Sequence, residues 1–157
     1  RLAGLIVAVF HFVFLQANDY QLHSSHFNVV VDSISGGIQS IVNKKDPSTM
    51  NWVMLSDGSQ YPWQTSDVGW GMGTCVVNGD TIRWKQPSKR EVKTDQIVFT
   101  YHLKLAELTI SRKLNKNGFL SESFRFRNLD TKMLKLSDIC IFTPFKRCFC
   151  ILLQETG

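Results

Sequence analysis

At 157 residues the chain has room for one ordinary domain with its own core, and 43% apolar and 11% aromatic residues exclude a disordered protein. The net charge of +5 is a mild basic bias, and cations such as Arg112, Lys113, Arg125 and Arg127 are spread through apolar segments instead of clustering. This spacing is typical of the solvated face of an antiparallel sheet, so we expect no nucleic-acid partner.

The first segment is nearly all apolar. Residues 2–15 read LAGLIVAVFHFVFL, follow Arg1, and precede the polar residues 16–19. A cationic start, a short apolar run and a small residue before a polar stretch predict a secretory signal peptide over residues 1–17, and therefore a secreted protein. The run is shorter than the roughly 20 residues of a membrane span, so no stable span is expected. The alternatives are an uncleaved amino-terminal membrane anchor, or a buried strand or helix of the domain.

Strand signals and turn signals then alternate along the chain. Asn78-Gly79 is the strongest turn signal, because both residue types tolerate the positive φ of a type I′ hairpin. Many short strands joined by turns predict an all-β fold, an antiparallel β-sandwich over residues 20–145. The predicted strands are 20–23, 27–31, 38–43, 50–55, 69–77, 81–85, 91–93, 96–105, 108–114, 119–128 and 134–142.

The four cysteines leave their pairing open. Cys75 and Cys140 lie in predicted strands, whereas Cys148 and Cys150 lie near the carboxyl end. Four cysteines in a secreted chain permit three disulfide connectivities, and a bridge between Cys75 and Cys140 is one possibility. The spacing of Cys and His predicts no metal site, and no cofactor is expected.

The last twelve residues differ in character from the rest. Residues 146–157 read KRCFCILLQETG and show neither turn chemistry nor a clear period. We expect a truncated or misread terminus there, and one more edge strand is the alternative.

Two segments resemble a known architecture. Residues 37–47 (GIQSIVNKKDP) with residues 50–53 (MNWV) look like the start of a secreted sandwich domain. Such domains precede an (α/α)₆ six-hairpin glycosidase barrel in some fungal and bacterial carbohydrate-active proteins. Residues 111–145, with FRFRN at 124–128 and a Pro-Phe loop at 144–145, resemble a galactose-mutarotase-like supersandwich.

The resemblance implies a fragment of a larger enzyme. The chain would be the non-catalytic amino-terminal β-sandwich of a secreted, glycoside hydrolase-like protein, supporting or lining a glycan site. Its partners would be a carbohydrate, either a polysaccharide or an oligosaccharide, and a carboxyl-terminal catalytic domain beyond residue 157. A free-standing carbohydrate-binding module and a mutarotase-type or lyase-type enzyme are the alternatives.

Acid and base candidates are weak. Glycoside hydrolysis needs two carboxyl groups about 5–10 Å apart. Most acidic residues here stand beside Gly, Pro or Asn, where a carboxylate caps a turn, so no catalytic residue is assigned. A mutarotase-type reaction would use a His acid and a Glu base, for which His102 with Glu107 or Glu122 are the candidates. A packed or exposed strand histidine is the ordinary alternative.

An aromatic loop holds the binding candidates. Four aromatic rings and several polar side chains lie within residues 52–70. Sugar rings present apolar C–H faces and hydroxyl edges, so a glycan site needs flat aromatic platforms with carboxylate partners. The alternative is packing in the core or against a neighbouring domain. The glycan-contact candidates are Trp52, Asp57, Tyr61, Trp63, Asp67 and Trp70.

Overall fold

Antiparallel strands account for the regular structure of the described part of this chain, as the sequence pattern predicts. The computed structural model describes residues 19–54, 69–115 and 117–145, and this part of the chain holds ten strands and no helix. The all-β class is therefore confirmed. The strands are β1 (Tyr20–His23), β2 (Phe27–Val31), β3 (Ile38–Asn43), β4 (Gly73–Val77), β5 (Asp80–Trp84), β6 (Lys89–Val92), β7 (Gln96–Leu103), β8 (Ala106–Leu114), β9 (Leu120–Asn128) and β10 (Leu136–Ile141).

The described strands form three sheets around a common core. Their orders are β1-β2-β3, β10-β4-β5 and β6-β7-β8-β9, with antiparallel pairing throughout. Leu22 of β1, Cys75 of β4 and Phe99 of β7 are all buried in one hydrophobic cluster that takes side chains from every sheet. Burial of this apolar surface supplies the main driving force for folding.

Buried and outward-facing residues alternate along the two central strands of the four-stranded sheet. Along β8 the residues Ala106, Leu108, Ile110, Arg112 and Leu114 are buried, while those between them face outward. Successive side chains of a strand point to opposite faces, so this sheet has a core-facing side and a polar outer side. We call the second the outer face; His102 and Glu107 lie on it as directly opposed residues of β7 and β8.

The β4–β5 hairpin confirms the Asn-Gly turn. Val77 pairs with Asp80 across a two-residue loop in which Asn78 has φ 51° and Gly79 has φ 92°. Positive φ at both central residues is the requirement of a type I′ turn.

The predicted strand over residues 50–55 is wrong for its described part, since residues 50–54 form no strand. Asn51 and Val53 form only isolated bridges, with Val42 and Phe145. The reason is the Asn51 side chain, whose Oδ1 accepts from the Ile41 and Val53 N–H groups at 3.0 Å each. A side chain that bonds to nearby backbone in this way takes the place of ladder hydrogen bonds.

The predicted strand at residues 69–77 is shorter in the structure. Gly71 has φ 79°, which is incompatible with an extended strand, so β4 begins at Gly73. Trp70 keeps one isolated bridge, to Ile38.

The Cys75–Cys140 bridge is not formed. Cys75 is buried on β4, Cys140 is exposed on β10, and both thiols are free. Cys140 is opposite Thr74 in the register, so the two thiols lie on opposite faces of their sheet. Burial raises the pKa of the Cys75 thiol.

Several predicted features fall outside the described residues: the signal peptide at 1–17, the tail at 146–157, and the cysteines Cys148 and Cys150. Within the described part of the chain, no helix has the length and apolarity needed to cross a membrane.

Candidate functional site

An apolar groove of about 280 Å³ opens between β2, β3 and the start of β9. We call it the aromatic groove. The residues before β4 and after β10 complete its walls. Its lining residues are Phe27, Val29, Ile41, Trp52, Trp70, Gly118, Phe119, Leu120, Glu122 and Phe145.

Aromatic pairs build the walls of the groove. The Phe27 and Trp52 rings meet edge to face with centroids 5.3 Å apart, and Trp70 meets Phe145 in the same way at 4.6 Å. Such edge-to-face contacts contribute beyond the area they bury. Trp70 is only 8% exposed, whereas Phe119 at the rim is 70% exposed. The deep part of the groove is therefore firmly packed, and its rim is open to a ligand or a partner.

One carboxylate interrupts this apolar lining. Of the described residues that line the groove, Glu122 alone is ionisable. Its Oε2 accepts a hydrogen bond from Trp70 Nε1 at 2.6 Å, and its Oε1 accepts one from Arg112 Nε at 2.8 Å. The Glu122 side chain is 16% exposed and that of Arg112 is fully buried. The carboxylate thus links the groove to a buried cation.

Arg112 joins three parts of the fold. Besides Glu122, its guanidinium donates from Nη1 to the Gly36 carbonyl in the β2–β3 turn. It also lies 5.8 Å from the centroid of the Phe99 ring, within cation–π range. Its Nη2 is buried and has no hydrogen-bond partner within the described residues. Gly71 provides the room for this group, because a Cβ on Gly71 would contact Nη2 and lie 3.2 Å from Cζ.

The same turn is held by a second buried group. The Tyr101 hydroxyl donates to the Ser35 carbonyl at 2.7 Å. Burial raises the pKa of Tyr101 from 10.0 to about 12, and the positive charge of Arg112 partly offsets this effect.

We expect Tyr101 to make the protein lose stability at high pH. Its pKa is higher in the folded protein than in the unfolded chain, so between pH 10.0 and about 12 the folded state retains a proton that the unfolded state has lost. The contribution of this proton to the free energy of unfolding is complete below pH 10. Above pH 10 the free energy of unfolding falls by about 1.4 kcal/mol per pH unit. Denaturant unfolding of the wild type and Tyr101→Phe across this range measures the effect. Parallel pH profiles for the two proteins would contradict it.

The structure places His102 beside one of its two candidate bases, Glu107, and away from the other, Glu122. His102 and Glu107 are neighbours on the outer face, where His102 is exposed and Glu107 pairs with Arg127 at 2.9 Å. Glu122 lies on the opposite, core-facing side of the same sheet, across from Arg112. His102 and Glu122 therefore do not share a site.

The structure describes two of the six glycan-contact candidates. Trp52 and Trp70 both line the aromatic groove. Asp57, Tyr61, Trp63 and Asp67 lie outside the described residues. Among the residues that the structure does describe, no group of three or more His, Cys, Asp or Glu side chains is arranged to hold a metal ion.

Sequence reasoning missed Arg112, Phe27, Phe119 and Phe145 as parts of this region. Arg112 was placed with the solvated cations, yet it is fully buried. The sequence did contain a sign of this burial. Arg112 falls on the same alternate positions of β8 as the apolar residues Leu108, Ile110 and Leu114, which face the core. A charge at a core-facing position of a strand indicates a buried ion pair.

Comparison with known proteins finds a relation that bears on function. No protein-family model matches the chain, and no curated protein matches it significantly. The solved structure of a polysaccharide lyase superposes with a TM-score of 0.65 and is 27% identical in sequence. The match covers 76% of this chain and 18% of the lyase, so the chain spans less than a fifth of that enzyme's length.

The chain is therefore similar to a β-sandwich portion of a larger carbohydrate-active enzyme. The enzyme found is a lyase. A relation to glycoside hydrolases, which the sequence resemblance suggested, stays a prediction.

Proposed function

We propose that this chain is the β-sandwich portion of a larger secreted polysaccharide-active enzyme, is not catalytic by itself, and lines a glycan site with its aromatic groove. The observation that carries the proposal is the hydrogen bond between Trp70 Nε1 and Glu122 Oε2, which places an oriented indole and a carboxylate in one groove. The rest of the enzyme would supply the catalytic domain.

The groove has the chemistry that a sugar ring requires. Aromatic faces and edges pack against the apolar C–H face of the ring, and a carboxylate accepts hydrogen bonds from its hydroxyls. An ionised carboxylate offers about four lone-pair positions. Trp70 and Arg112 occupy one on each oxygen of Glu122, and the side chain keeps 16% of its surface exposed. Glu122 can therefore accept from a ligand without releasing its two donors.

The polymeric nature of the ligand is taken from the similarity to a polysaccharide lyase. A groove about 280 Å³ in volume is at the small end of binding sites and fits one or two sugar units. The remaining units of a polysaccharide would extend over the rim, past Phe119.

We expect glycan affinity to fall about tenfold in Phe119→Ala, which removes an exposed wall of the groove and corresponds to about 1.4 kcal/mol of binding free energy. Calorimetric titration of the chain with a panel of neutral and acidic oligosaccharides measures the effect. Trp52→Ala tests the inner wall, provided that its melting curve stays cooperative. Met133→Ala is the control, because Met133 is 96% exposed and does not line the groove.

The same preparations test for activity. We expect the chain to release neither new reducing ends nor unsaturated sugars from any polysaccharide in the panel. Turnover that is abolished by His102→Ala would overturn the non-catalytic assignment and favour a mutarotase-type or lyase-type enzyme. If Phe119→Ala binds oligosaccharides as tightly as the wild type, the aromatic groove is not part of the glycan site.

The apolar lining favours a second candidate function, in which the groove docks against the catalytic domain of the same enzyme. Phe119 is 70% exposed at its rim, and exposed aromatic surface of this kind is typical of interfaces. In that case the isolated chain binds no oligosaccharide, while Phe119→Ala in the full-length enzyme lowers its melting temperature.

A further inference from the structure

The outer face of the four-stranded sheet carries a row of cations, and three of them have an acidic partner. Lys89 pairs with Glu91 at 2.6 Å, Lys113 with Asp95 at 3.1 Å, and Arg127 with Glu107 at 2.9 Å. Exposed pairs of this kind contribute little to stability, but they do satisfy the charge of each cation.

Arg125 is the exception on this face. It lies on β9 opposite Thr109 of β8, with an exposed side chain. Within the part of the chain that the structure describes, its guanidinium makes no ion pair and no hydrogen bond. Its five N–H donors are therefore available to a ligand.

A shallow depression of about 590 Å³ adjoins this guanidinium. Gln96, Thr109, Ser111 and Ser123 contribute polar side chains to its lining. Gln96 Nε2 donates to Ser111 Oγ at 2.6 Å, which leaves the Ser111 hydroxyl hydrogen and the Gln96 amide oxygen available. The depression thus offers one unpaired cation surrounded by neutral donors and acceptors.

We propose that this depression binds an acidic sugar unit of a polysaccharide, with Arg125 contacting its carboxylate or sulfate group. A guanidinium presents a planar fork that matches a carboxylate or sulfate with two parallel hydrogen bonds. The surrounding hydroxyls and the amide suit the hydroxyl groups of the sugar ring. The lining includes one aromatic residue, Phe124, whose strand position faces the core, so recognition here is through polar edges and not through stacking.

The inference rests on the proposed function for the polysaccharide, and it adds a second site with a different chemical preference. The aromatic groove lies at the start of β9 and on the core-facing side of the sheet, whereas Arg125 is on the outer face. A variant in one site therefore leaves the other intact.

Titration with three oligosaccharides of equal length tests the site: a neutral galactan, an oligogalacturonide and a sulfated galactan, all at one fixed ionic strength. We expect Arg125→Ala to weaken binding of the acidic oligosaccharides about tenfold and to leave the neutral one unchanged, since hydrogen bonds to charged groups are among the strong ones. Arg125→Lys keeps the charge but loses the planar fork, and we expect an intermediate affinity. The acidic oligosaccharide whose affinity falls more in Arg125→Lys carries the anionic group, carboxylate or sulfate, that the site prefers.

Arg127→Ala is the matched control, because Arg127 lies two residues further along the same strand and its charge is already paired. It should change affinity less than twofold. Equal losses in Arg125→Ala and Arg127→Ala would show that overall positive charge attracts the polyanion, and would overturn the site. No binding of either acidic oligosaccharide by the wild type would overturn it as well. Phe119→Ala separates the two proposals, because it affects the groove alone.

Discussion

Arg112→Ala is expected to lower the free energy of unfolding by about 3–5 kcal/mol, the range found when one partner of a buried ion pair is removed. Arg112 is fully buried, and its loss leaves the Glu122 carboxylate, with 16% of its side chain exposed, without its cation. The Gly36 carbonyl also loses its donor. Domains of this size are stable by about 5–15 kcal/mol, so this loss is a large fraction of the total stability. Urea unfolding followed by tryptophan fluorescence measures the loss.

Two further variants show whether the Arg112–Glu122 ion pair causes the loss of stability in Arg112→Ala. Arg127→Ala removes an exposed member of the Arg127–Glu107 pair and should cost less than about 1 kcal/mol. The double variant Arg112→Met with Glu122→Leu removes both charges, and we expect it to recover much of the stability that Arg112→Ala loses. If the double variant is as unstable as the sum of its single variants, the two side chains are not coupled as the structure indicates.

Gly73→Ala is expected to cost about 3 kcal/mol and to separate β10 from β4. A Cβ on Gly73 would contact the Cys140 carbonyl oxygen and the Trp84 ring, whose Cη2 it would approach to 2.7 Å. Neither neighbour can move easily, because the first is backbone of the paired strand and the second is 1% exposed in the core. Insertion of even one methyl into a packed site of this kind forces backbone shifts. Thermal unfolding measures the cost, and amide hydrogen exchange in β10 reports the separation.

Gly79→Ala is the matched control for Gly73→Ala. A Cβ on Gly79 would have nothing within 4 Å, so its cost arises from the positive φ of 92° alone. We expect about 1 kcal/mol for this conformational strain. A Gly73→Ala variant as stable as Gly79→Ala would mean that β4 and β10 do not approach each other as closely as described.

Local chemistry explains which elements were predictable. The Asn78-Gly79 turn and the strands β7 and β8 depend on residues that are adjacent in sequence, and both predictions are confirmed. The strand expected at residues 50–55 fails because Asn51 bonds to Ile41, ten positions earlier. The residue pattern within 50–55 carries no information on a contact to a residue outside that segment.

The site was less predictable for the same reason. Trp52 and Trp70 were identified from their residue type, and both line the groove. Their partners come from distant strands: Glu122 is 52 residues from Trp70, and Phe27 belongs to β2. Arg112 was assigned to the solvent because its charge suggested exposure, although its strand position indicated burial.

The bond between Arg112 and Gly36 has a consequence for the order of folding. The two residues are 76 positions apart, so the β2–β3 turn leaves the ribosome well before the guanidinium that holds it. At the usual rate of about 5–20 residues per second, that interval lasts several seconds. Until β8 is synthesised, the Gly36 carbonyl lacks this donor, although Trp70 and β4 are already available to pack against β2 and β3. We therefore expect nascent chains that end before Arg112 to be cleaved by proteases more readily than chains that extend beyond it.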